Sequence, residues 1–487
     1  MKKWFQGFLR SFKAEDKVKD EERTPQTPTK APTKVGRARE IIYVQVGIDF
    51  GTSSTKIAFT QLGSMGSKVK PLLFNHGLKS YPAYCLPSLA ALDDDRKFLL
   101  GIEAARFLET KPWDTGLRRF KVVVAGKYNH SFQDEETSRL FHDYLIRNFT
   151  EQSGIEAEHV TAAFIAYSIR ISRLIIEGYF PGWKLDFAFN ICIPIDQIEE
   201  NEVKAVFDKI LACSQIIETQ WKNEDDHSEL LELAKSNLEN AEYDQENSET
   251  RVFSVPEAIA EVVSYQNSLQ SQDGLHAVID FGAGSTDVSI FYLHDIRRSR
   301  EISLWYAARN LPRGGHRVEK IVFDYLTESG QETSDGSILG VLQRFADTPS
   351  YLKDQVRNEL YKLWKESCSV WRKAYGRNRR QSAWERDKVK VFLCGGGSDF
   401  PFVREIFKQS WMRDWGPYTI DDLPFQEDYD STNNNIPFKR MSVAFGLTRP
   451  LPVLTKYILP NDCPDQTPDP IPERTPLHPF WNPPNWE

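Results

Sequence analysis

One local pattern occurs twice, 231 residues apart, and it constrains the fold more than any global property. Val46-Gly47-Ile48-Asp49-Phe50-Gly51-Thr52-Ser53-Ser54-Thr55 and Val278-Ile279-Asp280-Phe281-Gly282-Ala283-Gly284-Ser285-Thr286-Asp287 each read as an apolar strand ending in Asp-Phe-Gly, followed by a small-residue turn. A second strand follows in both copies, Lys56–Phe59 and Val288–Phe291. Small residues let backbone N–H groups approach an oxyanion closely, and Ser/Thr hydroxyls add donors. A carboxylate at the strand end can hold metal-bound water. Two such turns can grip one polyphosphate from both sides of a cleft. A third cluster, Val391-Phe392-Leu393-Cys394-Gly395-Gly396-Gly397-Ser398-Asp399-Phe400-Pro401, again follows a strand and opens a helix at Pro401.

Around these motifs the pattern is α/β. Strand-like runs cover Ile41–Phe50, Thr55–Phe59, Asp186–Ile193, Ala277–Phe281, Val288–Tyr292 and Lys390–Cys394. Helix-like runs cover Ser138–Asn148, His159–Glu177, Glu200–Ala212, Ala258–Asn267, Arg317–Glu328, Lys353–Tyr375 and Pro401–Gln409. The chain has 487 residues with a net charge of −8, too acidic for a dedicated duplex-DNA binder, so no nucleic acid partner is expected. No run of 18 or more apolar residues occurs, so no membrane-spanning helix is expected. The six cysteines show no metal-ligand spacing and read as buried thiols in a reducing, cytoplasmic setting.

The charge is uneven. Residues 1–40 hold 11 basic and 6 acidic side chains, and residues 221–250 hold 2 basic and 10 acidic ones. On a helical wheel Trp4, Phe5, Phe8, Leu9 and Phe12 share one side, while Lys2, Lys3, Arg10 and Lys13 take the other. Residues 2–13 thus offer a surface for reversible membrane contact, peripheral rather than spanning, or for docking on protein. Residues 14–40 read as a linker, 221–250 as a partly mobile acidic surface insertion with a short helix near Leu230–Leu238, and 450–487 as a proline-rich extended tail.

The three motifs, in this order, resemble the nucleotide-binding core of the actin, sugar-kinase and heat-shock-chaperone superfamily, and the second hairpin is most similar to the DnaK-type chaperone ATPases. Further segments fit that type: Leu86-Pro87-Ser88, Gly101-Ile102-Glu103-Ala104-Ala105, Ile193-Pro194, Pro256-Glu257-Ala258-Ile259-Ala260, Leu311-Pro312-Arg313-Gly314-Gly315 and Ser442-Val443-Ala444-Phe445-Gly446. The resemblance implies a bilobed actin-like fold, each lobe a ribonuclease-H-like mixed sheet flanked by helices with inserted subdomains. The first lobe would span 41–265 and the second 266–449. It implies ATP or ADP with Mg²⁺ in the cleft. Asp49 and Asp280 would organise the Mg²⁺ water shell. Gly51, Thr52 and Ser53 would take one phosphate edge, and Gly282, Ala283, Gly284 and Ser285 the other. Gly314 and Gly315 would line the cleft, Gly395, Gly396 and Ser398 would lie under the adenosine, and Arg372 and Lys373 would flank it. Lys121 is the candidate for positioning the attacking water, with a surface lysine in a basic cluster as its other reading.

Two departures shape the expected function. Val255 stands where the family has a glutamate before the connecting-helix proline, and Glu257 is the candidate replacement. Losing one positioning group slows a chemical step by a factor of about 10², so slow hydrolysis is expected. After Leu447 only the tail remains, with no peptide-binding half. The expectation is an ATP-dependent, chaperone-like conformational switch with weak Mg-dependent ATPase activity, its protein partners reading the acidic insert or the tail. A sugar-type kinase, an actin-like filament former and a non-hydrolysing nucleotide-sensing scaffold are the alternatives.

Overall fold

The computed structural model describes residues 41–64, 66–112, 115–129, 135–149, 154–193, 201–242, 250–293, 303–378, 384, 389–412, 417–430, 436–454, 456–460 and 462. The amphipathic stretch 2–13, the linker 14–40, Pro194, the end of the acidic segment and the tail beyond 462 lie outside the described residues.

The chain is mixed α/β, with several mixed sheets flanked by helices. Strands β1 (Ile41–Asp49) and β2 (Ser54–Gln61) form the first hairpin, which β3 (Lys70–Pro71) and β4 (Cys85–Pro87) extend along β2. A small three-stranded sheet follows, of β5 (Leu89–Leu92), β6 (Phe98–Leu100) and β7 (Leu117–Arg118). Strands β8 (Lys184–Ile193) and β9 (Arg251–Pro256) complete the first large sheet in parallel beside β1. The second large sheet comprises β10 (Gly274–Phe281), β11 (Thr286–Leu293), β12 (Ser303–Leu311), β13 (Lys390–Cys394), β14 (Thr419–Asp421) and β15 (Tyr457–Ile458).

Both large sheets share one plan. The Asp-bearing strand has an antiparallel hairpin partner on one side and a parallel strand carrying a cysteine near its end on the other: β2-β1-β8 in one, β11-β10-β13 in the other. Parallel central strands are covered on both faces, and β10 is buried at all eight positions. The helices are α1 (Gly101–Leu108), α2 (Phe120–Tyr128), α3 (Glu135–Asn148), α4 (Ala157–Tyr179), α5 (Asn201–Gln220), α6 (His227–Asn237), α7 (Glu257–Gln266), α8 (Gly315–Glu328), α9 (Asp335–Gln343), α10 (Ser350–Arg377), α11 (Val403–Phe407), α12 (Ser442–Leu447) and α13 (Leu451–Leu454). Helices α7 and α12 share a core with residues of both sheets, including Ala58, Val278 and Phe392. They can meet because Gly446 lies against the Ala260 carbonyl and Gly47 against the Ala444 carbonyl.

Four sequence expectations need correction. The acidic segment is not simply a surface insertion. Helix α5 runs on to Gln220, Trp221 is buried, and α6 buries Leu230, Leu231 and Ala234 in the first core. Asp225, Glu232, Glu239 and Glu242 are exposed, and composition alone does not reveal that amphipathic split. The helix expected over Pro401–Gln409 is only Val403–Phe407, because Phe402 sits in the left-handed region at φ 75°. Strand β12 was missed because Ala307, Ala308 and Arg309 favour helix locally and are overruled by pairing with β11. The tail's start is ordered too: α13 makes a helical turn and β15 adds an edge strand to β12.

Helix α4 is long and apolar enough to cross a membrane, although Arg170 and Arg173 interrupt its apolar run, and most of it is buried in the core. The five cysteines among the described residues are all free and buried, as expected.

Gly446→Ala is expected to lower stability by about 1–3 kcal/mol through overpacking against Ala260. Gly376→Ala, on an open face of α10, is expected to raise it by about 0.5–1 kcal/mol. Urea denaturation of both variants checks the pair.

Candidate functional site

The strand plan brings the two Asp-Phe-Gly turns together. A Cβ added at Gly284 would lie 2.8 Å from Thr52 Oγ1 and 2.7 Å from Val122 Cγ2, so the turns touch. The first turn is fastened by Ser88, whose Oγ donates to the Gly51 carbonyl at 2.8 Å and whose N–H donates to the Ser53 carbonyl at 3.0 Å. The Leu311–Gly315 turn clasps the second. Gly315 N–H donates to the Gly282 carbonyl at 2.9 Å, His316 N–H to Ala283 at 2.7 Å, and Thr286 Oγ1 to Arg313 at 2.6 Å. Gly395 adopts φ 87° with its backbone against Asp280 and the Phe281 carbonyl, a conformation open to glycine because it lacks a Cβ. Gly397 N–H then donates to the Phe281 carbonyl at 3.0 Å.

Charged groups converge beneath the first turn. The β1–β2 register sets Lys56 opposite Asp49, and Lys56 Nζ donates to Asp49 Oδ2 at 2.5 Å. Lys121, on the first turn of α2, is only 6% exposed, and its Nζ donates to Glu257 Oε2 at 2.8 Å. It also lies 5.7 Å above the Phe50 ring. Burial alone would lower both lysine pKa values, but Asp49 holds Lys56 above its usual range and Glu257 does the same for Lys121. The reading of Lys121 as a surface lysine is therefore overturned. Val255 is buried in β9, and Glu257, two residues on, supplies the carboxylate.

One turn further along α7, Glu261 faces the second Asp strand. Ser442 Oγ donates to Glu261 Oε1 at 3.1 Å. Burial and the neighbouring Asp280 push Glu261 well above the carboxylate range. Burial, with repulsion from Glu257, pushes Asp280 up to about 7. The connecting helix thus presents one glutamate to each Asp–Cys pair: Glu257 to Asp49 and Cys192, Glu261 to Asp280 and Cys394.

No protein-family model matches this chain, and no curated protein matches it. The site is therefore read from its own chemistry.

Of the residues singled out by sequence, Asp49, Gly51, Thr52, Ser53, Lys121 and Glu257 gather with Asp280, Gly282, Ala283, Gly284, Ser285, Gly314, Gly315 and Gly395 around the two turns. Gly396 is open to solvent, and Ser398 Oγ is buried without a hydrogen-bond partner. Arg372 and Lys373 lie exposed on α10, and Arg372 lines a cavity of 420 Å³ with Arg309, Arg313, Arg317 and Lys365. Sequence reasoning missed Lys56, Cys192 and Glu261. A signal for Lys56 existed, since hairpin register alone sets it across from Asp49. In the second hairpin the equivalent pair is Asp280 and Asp287, so the repeat carries a cation in one copy only.

Lys121→Met is expected to cost about 3–5 kcal/mol, because it strands the Glu257 charge, and Lys121→Met with Glu257→Leu is expected to recover most of that loss. A denaturation double-mutant cycle checks this. Asp280, raised in the fold, contributes stability that is present below its unfolded pKa and lost as pH rises towards about 7. Stability should therefore fall between about pH 4 and 7, and Asp280→Asn should flatten that slope in midpoints measured across the range.

Proposed function

We propose that the chain is an ATP-binding protein of the actin and heat-shock-chaperone type, a bilobed switch that hydrolyses ATP slowly. The observation that carries this reading is the meeting of two equivalent Asp-Phe-Gly turns over two ammonium groups, buried Lys121 and half-buried Lys56. A triphosphate carries about four negative charges, and Lys56 and Lys121, which converge beneath the first turn, could meet two of them. The donor set suits ATP with a divalent ion. The turn N–H groups and hydroxyls of Gly51–Ser53 and Gly282–Ser285 would take phosphate oxygens, and Asp49 and Asp280 would hold Mg²⁺ through water. When bound, that ion would neutralise phosphate charge. Gly395, Gly396 and the unpartnered Ser398 hydroxyl would face the adenosine, with Arg372 and Lys373 beside it and Gly314 and Gly315 lining the cleft.

Because Thr52 and Gly284 are in contact, phosphate entry requires the turns to part. Helices α7 and α12 sit where the two sheets share a core and would serve as the hinge. Away from them, Arg118–Asp335 at 3.1 Å, Arg119–Glu319 at 3.7 Å and Arg317–Glu136 at 3.4 Å bridge the two halves and would act as the latch. Slow turnover follows from Glu257. It opens α7 two residues beyond Val255, so the carboxylate is displaced from the position before Pro256, where Val255 supplies no base for water.

Calorimetry with Mg-ATP tests the reading. Wild type is expected to bind, and Lys56→Met is expected to bind about 10- to 100-fold more weakly, the loss of one charge-assisted contact worth about 1.5–3 kcal/mol. Absence of binding by folded wild type would refute it, and ADP release that depends on an added sugar would transfer the site to the kinase class. Asp335→Asn is expected to raise the ATP association rate several-fold in stopped-flow measurements, and an unchanged rate would remove the latch.

A further inference from the structure

We propose that Asp49, Cys192 and Glu257 form a binding site for a thiophilic divalent cation of the Zn²⁺ class. The inference stands whether or not ATP binds, and it concerns a kind of ion that nucleotide binding does not require.

Three neighbouring parallel strands end at this point. Asp49 closes β1, Cys192 is the penultimate residue of β8, and Glu257 opens α7 directly after β9. One ligand atom from each lies within 4.8 Å of the other two. The separation of Cys192 Sγ from Asp49 Oδ1 is 3.5 Å. A tetrahedral zinc centre, with a metal–sulfur bond of about 2.3 Å and a metal–oxygen bond of about 2.0 Å, sets sulfur and oxygen roughly 3.5 Å apart. The pair already has the spacing of a tetrahedral edge.

The lysines do not block the set. Lys56 takes Asp49 Oδ2, whereas the thiol faces Oδ1. Lys121 takes Glu257 Oε2, so the carboxylate keeps a second oxygen. The surroundings also suit a sulfur ligand. Phe50 N–H donates to Cys192 Sγ at 3.1 Å, the type of backbone contact that orients and stabilises a metal-bound thiolate. Burial and the neighbouring Glu257 push the Cys192 thiol well above its usual range, with Lys121 opposing them, so it is the bound dication itself that would bring out the thiolate. On binding, the S–H bond breaks, the proton passes to solvent and a metal–sulfur bond forms, with no change of oxidation state. Three anionic ligands then meet a dication, with two ammonium groups alongside.

Sulfur decides the class of ion. Mg²⁺ and Ca²⁺ are hard and take oxygen, whereas zinc and cobalt accept thiolate with carboxylate. Three protein ligands leave a fourth position open to water or a ligand oxygen.

The test is titration of nucleotide-free, full-length, reduced protein with Co²⁺, following the near-ultraviolet sulfur-to-cobalt charge-transfer band. Wild type is expected to develop the band with one equivalent, to lose it to Zn²⁺ and to keep it in excess Mg²⁺. Cys192→Ser is expected to abolish the band, and Cys394→Ser to retain it. Should Cys192→Ser fail to fold, Glu257→Gln provides the second reading, with cobalt affinity expected to fall about tenfold or more. A folded wild type without the band overturns the proposal. So does a band that survives Cys192→Ser, or an affinity unchanged in Glu257→Gln. Mg-ATP calorimetry on the same preparation separates the two ideas. A cobalt band without ATP binding sinks only the nucleotide reading, and ATP binding without the band sinks only this one.

Discussion

Buried Asp49, Lys121 and Glu257 meet half-buried Lys56 where the first Asp-Phe-Gly turn meets the connecting helix, and their mutual neutralisation is the constraint on which the centre of the molecule depends. Removing any one leaves an uncompensated charge in a low-dielectric interior, which costs more than the pair contributes. The surrounding architecture can be read as what is needed to hold these groups. Parallel β1, β8 and β9 align the strand ends, α7 begins where Glu257 must sit, and Phe50 packs against Phe120 and Phe164 beneath Lys121.

The same plan appears twice, and the difference between the copies is informative. Each large sheet places an aspartate at the end of a central strand, a cysteine on the parallel neighbour and a glutamate from α7 nearby. Only the first copy carries lysines. In the second, burial and the neighbouring carboxylates drive Glu261 and Asp280 upward.

Much of this is legible in the sequence. The paired hairpins, the third glycine turn and the α/β alternation rest on short-range signals, namely apolar runs that end in fixed small residues. What stayed hidden depends on long-range placement. Lys121 reads equally well as a surface lysine until α2 is seen packed against α4 and the Glu257 carboxylate. Cys192 is one apolar residue in Asn190-Ile191-Cys192-Ile193 until β8 pairs in parallel with β1. The acidic segment misled because composition averages the buried and exposed faces of α6. Strand β12 misled because its Ala-Ala-Arg run favours helix until sheet pairing overrules it.

The central claim is that the two turns part to take a polyphosphate and that the two lysines exchange their carboxylates for it. A crystal structure grown with a non-hydrolysable ATP analogue tests this most directly. The account predicts triphosphate between Thr52 and Gly284, with Lys56 and Lys121 turned from Asp49 and Glu257 to phosphate oxygens. Nucleotide bound elsewhere, or turns still in contact with both lysine–carboxylate pairs intact, would contradict it.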